Sequence, residues 1–274
     1  MLHKDGRHET CSLMPHSWIH SPKDHVPTQR LTSPSTGRVV KAILFDTFGT
    51  IVDWRSGVAR DIAAFAAARR ITVDPAELAT QWRDLYQPAL EEVRSGGRPF
   101  TTLDVLHLEN LQRVLTANGF NLNDIAAADL HELNLAWHRL DPWPDSIAGL
   151  ADLRTRYLIG PLSNANLALL ADMAKRAGLP WDVIIGADVT RAYKPQPEAY
   201  TRAADILNLS PGQVMLAAAH NSDLAAARDA GLATAFIPRP TEYGPGQTHD
   251  LVATQAWDVV ASDVIDLAVI CTSP

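Results

Sequence analysis

The chemistry-bearing residues of this chain stand at the ends of apolar runs. In "KAILFDTFGT", Asp46 follows a buried-looking run and is itself followed by Thr47, Phe48, Gly49 and Thr50. A carboxylate there either caps a turn or, desolvated and oriented, acts as a nucleophile. Ser163 and Asn164 close a second run, "YLIGPLSN", and His220, Asn221 and Asp223 close a third, "VMLAAAHNSD". Lys194 opens "KPQPEAY", a helix start where the helix dipole disfavours a cation. That placement suits a lysine that keeps a nearby carboxylate ionised. Asp223 alone would pass as an ordinary acid at a helix N-terminus. The recurrence of polar clusters at strand ends is the signal, because such ends converge on one edge of a parallel sheet.

The elements that must position these residues are legible. "VVKAILF" (39–45) reads as a buried strand. From about Ser56 to Arg139 the pattern gives four helical stretches and no strand, the third with Leu103, Leu106, Leu108, Leu111, Val114 and Leu115 at near-helical spacing. "DPWPD" (141–145) breaks the chain. Beyond it, strands and helices alternate. The fold class is therefore α/β, a doubly wound parallel sheet with an inserted α-helical cap domain. The division expected is a tail over 1–38, a core over 39–53 and 144–274, and a helical cap over 54–143. An insertion after the first strand sits over the crevice where such sheets bind ligands.

Composition limits the partners. With 274 residues, 46% hydrophobic, the chain can build one substantial core. A net charge of -7 with no concentrated Lys/Arg block argues against nucleic acid and anionic membranes. No apolar run is long enough for a transmembrane helix. Cys11 and Cys271, near opposite ends, suggest neither a disulfide framework nor a zinc site and fit a reducing cytoplasm. Residues 1–38 are polar and aperiodic and read as a disordered tail or a start set too far upstream. His3, His8, His16 and His20 fall there, and a solvated tail is the reading preferred over metal binding.

Together "FDTFGT", "LSNAN", "KPQPEAY" and "HNSD" resemble the haloacid dehalogenase superfamily over about 39–270. The helical insertion resembles that superfamily's cap. Its phosphatases carry a second aspartate two residues after the nucleophile. Here that place is Phe48, which cannot donate a proton. Halide needs no proton to leave, so the chain resembles the (S)-2-haloacid dehalogenase branch, which uses no metal or other cofactor. The resemblance makes Asp46 the nucleophile that forms an ester with the substrate carbon. It makes Thr50 a support for that carboxylate, Ser163 the binder of the substrate carboxylate, and Asn164 part of the halide cradle. Lys194 offsets the Asp46 charge, Tyr200 supports the lysine and the site, and Asp223 orients lysine and water. Arg83, just after Trp82, is nominated as the halide-stabilising cation, with Arg94 and Arg98 as competitors. Phe48, Trp54, Trp82, Tyr86 and Asn221 are assigned to the pocket's surroundings. The implied partners are a small 2-haloacid and halide, and a second copy of the chain in a homodimer.

One departure concerns water. Where relatives of this branch carry a Ser-x-Asn-x-x-Asp arrangement, this chain has Ala218, His220 and Asp223. His220 could then hydrogen-bond the hydrolytic water or act as its base, unless it is a structural histidine. Rival readings are opening of an azetidine carboxylate ring, a phosphatase with displaced acids, and a non-catalytic carboxylate-binding protein.

Overall fold

The computed structural model describes residues 30–273. The chain opens with β1 (Ala42–Phe45), every residue of which is buried. A short ribbon strand β2 (Val52–Asp53) leads into α1 (Trp54–Arg69), α2 (Pro75–Asp84), α3 (Tyr86–Arg94), α4 (Leu103–Ala117) and α5 (Ala127–Asn134). The ribbon's return strand, β3 (Asp141–Pro142), pairs antiparallel with β2. Then follow α6 (Ser146–Arg154), β4 (Leu158–Ser163), α7 (Leu167–Ala177), β5 (Ile185–Gly186), α8 (Ala187–Thr190) and α9 (Pro197–Ile206). β6 (Val214–Ala218), α10 (Asn221–Asp229), β7 (Ala233–Phe236), β8 (Val259–Val260) and α11 (Val264–Thr272) complete the fold.

The main sheet has the order β5-β4-β1-β6-β7-β8, and all its pairings are parallel. Helices cover both faces, which is why β1 and β6 are apolar throughout rather than alternating, and why every residue of β7 is buried. After β1 the chain builds outward through β4 and β5, then returns to the other side of β1 for β6, β7 and β8. The reversal puts a crevice beyond the carboxyl ends of β1, β4 and β6. Among the described residues no helix is long and apolar enough to cross a membrane.

Two expectations need correction. Where four helical stretches were expected between about Ser56 and Arg139, five α-helices form, because "QWRDLYQPALEEV" breaks at Leu85, between α2 and α3. Pro88 has no N–H to give to the carbonyl of Asp84, so the helix restarts with the proline in its first turn. Residues 30–38, counted with the tail, are fastened to the core. Thr32 bridges Val39, the Leu31 N–H donates to the Tyr157 hydroxyl, and Ser33 is fully buried. The remainder of that segment, with Cys11 and the four histidines, lies outside the described residues.

Asp258, just before β8, is the anchor of this strap. It accepts from Ser33 Oγ (2.9 Å), the Ser35 N–H (2.7 Å) and Ser35 Oγ (2.8 Å), and from the N–H and hydroxyl of Thr234 on β7. Burial opposes its charge, but these donors prevail and hold its carboxyl below the usual range. Its stabilising contribution is therefore fully present above the unfolded carboxyl value near pH ~4 and is lost as pH falls through the lower folded value. Asp258→Ala should lower unfolding free energy by about 1–3 kcal/mol in urea at neutral pH, the cost of orphaning partly buried donors. It should also remove part of the protein's acid sensitivity. An unchanged urea midpoint would mean that the strap is not held here.

Candidate active site

Asp46 is the first residue beyond β1, and its N–H donates to the Ala217 carbonyl (3.0 Å), so the β1–β6 ladder still fixes its backbone. The chain then turns at once, with the Ile51 N–H donating to Thr47 O and the Gly49 N–H to Val52 O. Gly49 has φ +85°, and a Cβ there would lie 2.0 Å from Glu242 Oε1. Conformation and space both require glycine. The turn brings Thr50 back under the carboxylate. Its hydroxyl donates to Asp46 Oδ2 (2.9 Å) while Thr50 Oγ1 accepts the Ala219 N–H (2.9 Å).

Lys194, in the loop between α8 and α9, is buried with its ammonium between two carboxylates. Nζ donates to Asp46 Oδ1 (2.9 Å) and to Asp223 Oδ2 (2.5 Å). Burial opposes its charge, but Asp223 and Asp46 outweigh burial and raise its pKa. Burial likewise opposes ionisation of Asp46, yet Lys194 and His220 prevail and hold that carboxyl far below the usual carboxylate range. Asn164, after β4, accepts the Lys194 backbone N–H on Oδ1 (2.7 Å). The Tyr200 hydroxyl donates to Asp223 Oδ1 (2.6 Å). Burial and Asp223 push that phenol well up, so it remains a donor.

His220 differs from its expected role. Nδ1 lies 3.0 Å from Asp46 Oδ2, and Nε2 lies 3.0 Å from Glu242 Oε2 and 3.1 Å from Oε1. Burial disfavours the imidazolium, but Glu242 and Asp46 raise its pKa well above the ordinary value. With each ring nitrogen facing a carboxylate, the surroundings favour an imidazolium that bridges Asp46 and Glu242 in the resting protein. Glu242 is 1% exposed and also accepts from Trp54 Nε1 (3.0 Å). Sequence reasoning missed Glu242 and its neighbour Tyr243. They lie in the irregular segment after β7, and no local pattern marks them. The signal available was topological: β7 also ends at this edge of the sheet, so its loop, like those after β1, β4 and β6, feeds the site.

The pocket above Asp46 is an open cavity of about 390 Å³, lined by Phe48, Arg83, Tyr86, Gln87, Arg94, Asn164, Lys194, His220, Asp223 and Tyr243, among others. That volume suffices for a small organic acid. The Arg83 guanidinium lies over the Tyr86 ring, 4.1 Å from its centroid, and its Nη1 is buried with no hydrogen-bond partner among the described residues. The competitors are occupied elsewhere. Arg98 makes a two-pronged pair with Glu109, at 2.7 and 3.1 Å. Arg94 donates to Glu91, Gln87 and the Lys194 carbonyl.

Ser163, assigned to the substrate carboxylate, and Trp54, Trp82, Tyr200 and Asn221, assigned to the site's surroundings, are absent from the pocket lining. Ser163 Oγ accepts the Ala165 N–H (3.2 Å) and serves the turn after β4. Trp54 is fully buried behind Glu242, and Tyr200 is fully buried behind Asp223. Asn221 clasps the segment after β7: its Nδ2 donates to Asp250 Oδ1 and the Val252 carbonyl, and its Oδ1 accepts from the Thr254 N–H and Trp257 Nε1. Each is an extra polar or aromatic group near the site whose partner is another side chain or backbone group, a distinction that one-dimensional spacing does not carry.

Known proteins share this architecture. A solved structure of a defluorinating L-2-haloacid dehalogenase is 55% identical, with a TM-score of 0.88, covering 89% of this chain and 100% of that one. Another L-2-haloacid dehalogenase is 47% identical with a TM-score of 0.80, covering 84% and 97%. The (S)-2-haloacid dehalogenase of Xanthobacter autotrophicus is 28% identical over 209 residues, 73% of this chain and 76% of its own length. The family model for haloacid dehalogenase-like hydrolases matches residues 40–231, from the strand that delivers Asp46 to the end of the helix that carries Asp223, and the chain belongs to that family.

Proposed function

We propose that this protein hydrolyses small (S)-2-haloalkanoic acids to (R)-2-hydroxy acids through an ester on Asp46. The observation that carries this reading is a carboxylate held ionised by two cations, sharing a pocket with Arg83, whose buried Nη1 has no partner among the described residues. The relatives named above act on such acids by their names, which supports the same substrate class here. Arg83, Arg94 and Lys194 give the pocket wall a positive side suited to an anionic substrate. The helical segment 54–143 serves as the cap that carries Arg83 over the sheet.

In the first step an Asp46 oxygen attacks the halogen-bearing carbon from the side opposite the halogen. The C–O bond forms as the carbon–halogen bond breaks, the configuration inverts, and halide leaves with the bonding pair toward Arg83. With Oδ1 attacking, Oδ2 becomes the ester carbonyl oxygen. Water then adds to the Asp46 carbonyl carbon. Negative charge gathers on Oδ2, where Thr50 and His220 already aim donors. Asp223, which shares the Lys194 ammonium with Asp46, takes the water proton; Asp250 also lines the pocket but accepts from Asn221. Collapse breaks the bond between the Asp46 carbonyl carbon and Oδ1. The departing alkoxide takes the proton held by Asp223 and leaves as the hydroxy acid. Asp46, now bearing the oxygen of water, loses its remaining proton to solvent and is again ionised. Phe48 takes no part in proton transfer: it is an apolar wall residue packed on Trp137, with ring centroids 5.4 Å apart. Asp46 Oδ1 accepts from Lys194 and Oδ2 from Thr50 and His220, so protein donors, two of them cationic, hold the place that a hard metal ion would need. The same reading puts the enzyme in the reducing cytoplasm, since its two cysteines form no plausible framework, and makes it a homodimer by family resemblance.

A panel of 2-fluoro-, 2-chloro- and 2-bromo-acids, an azetidine carboxylate and a phosphate ester tests the reaction class. Halide release is expected, with inversion of (S)-substrates. One turnover in heavy-oxygen water should label the Asp46 peptide, and label found only in the first-turnover product would exclude the ester. Arg83→Ala should lower kcat/KM about 10²-fold or more, the scale of losing one electrostatic donor in a dry site. A near-normal rate would place the halide elsewhere. Glu242→Gln removes the charge that most raises the His220 pKa, so an imidazole NMR titration of the free protein should show that value falling. An unmoved titration would mean that Glu242 does not hold the His220 proton.

A further inference from the structure

We propose that Arg94 is a positioning residue for Lys194, reaching from the helical segment to fix the peptide of the lysine that keeps the nucleophile ionised. The inference rests on the reading of Asp46 as that nucleophile.

Lys194 is held at both of its backbone polar groups. Its N–H donates to Asn164 Oδ1 (2.7 Å), a residue of the sheet's edge. Its carbonyl accepts from Arg94 Nη1 (2.9 Å), a residue of the last turn of α3. One grip comes from the sheet and the other from the helices that cover it. The Lys194 side chain has little freedom to adjust, because its ammonium must stay within hydrogen-bond reach of both Asp46 and Asp223.

Arg94 lines the pocket, so direct capture of the substrate acid is the obvious competing role. Its hydrogen bonds argue otherwise. Nε donates to Glu91 Oε2 (2.9 Å), Nη2 to Gln87 Oε1 (3.3 Å), and Nη1 to the lysine carbonyl. Every nitrogen of the guanidinium is engaged, whereas Arg83 keeps a buried donor without a partner among the described residues. Glu91 and Gln87 belong to the same helix as Arg94 and hold the planar head in the one orientation that meets the carbonyl. The Gln196 side chain also reaches the Arg94 backbone carbonyl (3.5 Å), so the loop carrying Lys194 and the end of α3 grip each other twice.

Freeing the lysine carbonyl lets the ammonium drift from Asp46, and the carboxyl pKa then rises toward its ordinary value. The test is Arg94→Ala beside Arg94→Lys, whose ammonium can still donate to the carbonyl. Halide release is followed from about pH 2, well below the ordinary carboxyl value, to about pH 9. For Arg94→Ala, kcat should fall about 10-fold or more, on the scale of a small misplacement of a reacting group. KM should stay within about two-fold, since no substrate contact is lost. The acid limb of the profile should move to higher pH, and Arg94→Lys should recover much of both effects. A carboxyl carbon-13 titration of Asp46 in the free protein, assigned with Asp46→Asn, should show the same upward shift without any substrate. A raised KM with unchanged kcat would overturn the proposal in favour of substrate binding. Equal losses in both variants with an unmoved acid limb and Asp46 titration would reduce Arg94 to a fold residue. Failure of the wild-type protein to release any halide would sink the dehalogenase reading instead, and the carbon-13 titration would still decide the fate of Arg94.

Discussion

The site depends on mutual neutralisation of charges taken out of water. Asp46, Asp223 and Glu242 are carboxylates, and Lys194 and His220 are the cations set between them. Each would be costly to bury alone, and removal of one leaves another uncompensated. The arrangement alternates in sign, Asp223–Lys194–Asp46–His220–Glu242, so every interior member touches two partners of opposite charge. Its middle member, Asp46, is flanked by a cation on each side. The outer carboxylates lock the cations, and the cations keep the central one ionised and short of protons.

Rigid neighbours hold each link. Asp46 stays in the β1–β6 ladder, Thr50 is tied to the Ala219 N–H, and the Thr50 carbonyl accepts from Arg239 (2.9 Å). Arg239 in turn makes two 2.7 Å bonds to Asp145 at the foot of α6. Tyr200 supports Asp223 and Trp54 supports Glu242, both fully buried. The functional groups thus sit on short turns whose backbones are pinned by sheet bonds on one side and packed aromatic rings on the other.

What was legible in the sequence follows from this division. Strands buried on both faces write themselves as apolar runs, so the sheet and the loops carrying Asp46, Lys194 and Asp223 could be read directly. The parallel alternation then implied one active edge. Glu242 was hidden because an irregular segment delivers it and only the folded backbone brings it to His220. His220 was visible as a residue but not as a cation, since its protonation depends on two carboxylates far away in sequence. Asn221 shows the converse: a polar side chain just past the right strand end can be spent wholly on other parts of the protein. Leu85 shows how local chemistry competes with periodicity, because the apolar spacing continues across it while Pro88 removes a helix hydrogen bond.

The β2–β3 ribbon has a consequence of its own. Val52 faces Pro142 and Asp53 faces Asp141, so the chain leaves for its helical excursion and comes back at the same spot. To the sheet, everything between is a detour of zero net displacement. The entropy of closing such a detour grows only with the logarithm of its length. Helices can therefore be lengthened, shortened or reordered beyond the ribbon while the path from β1 to β4 stays unaltered. The nucleophile lies on the sheet's side of that knot, and Arg83 lies on the far side. The roof over the carboxylate is thus a part whose shape can change at low topological cost, while the floor is fixed by the sheet itself.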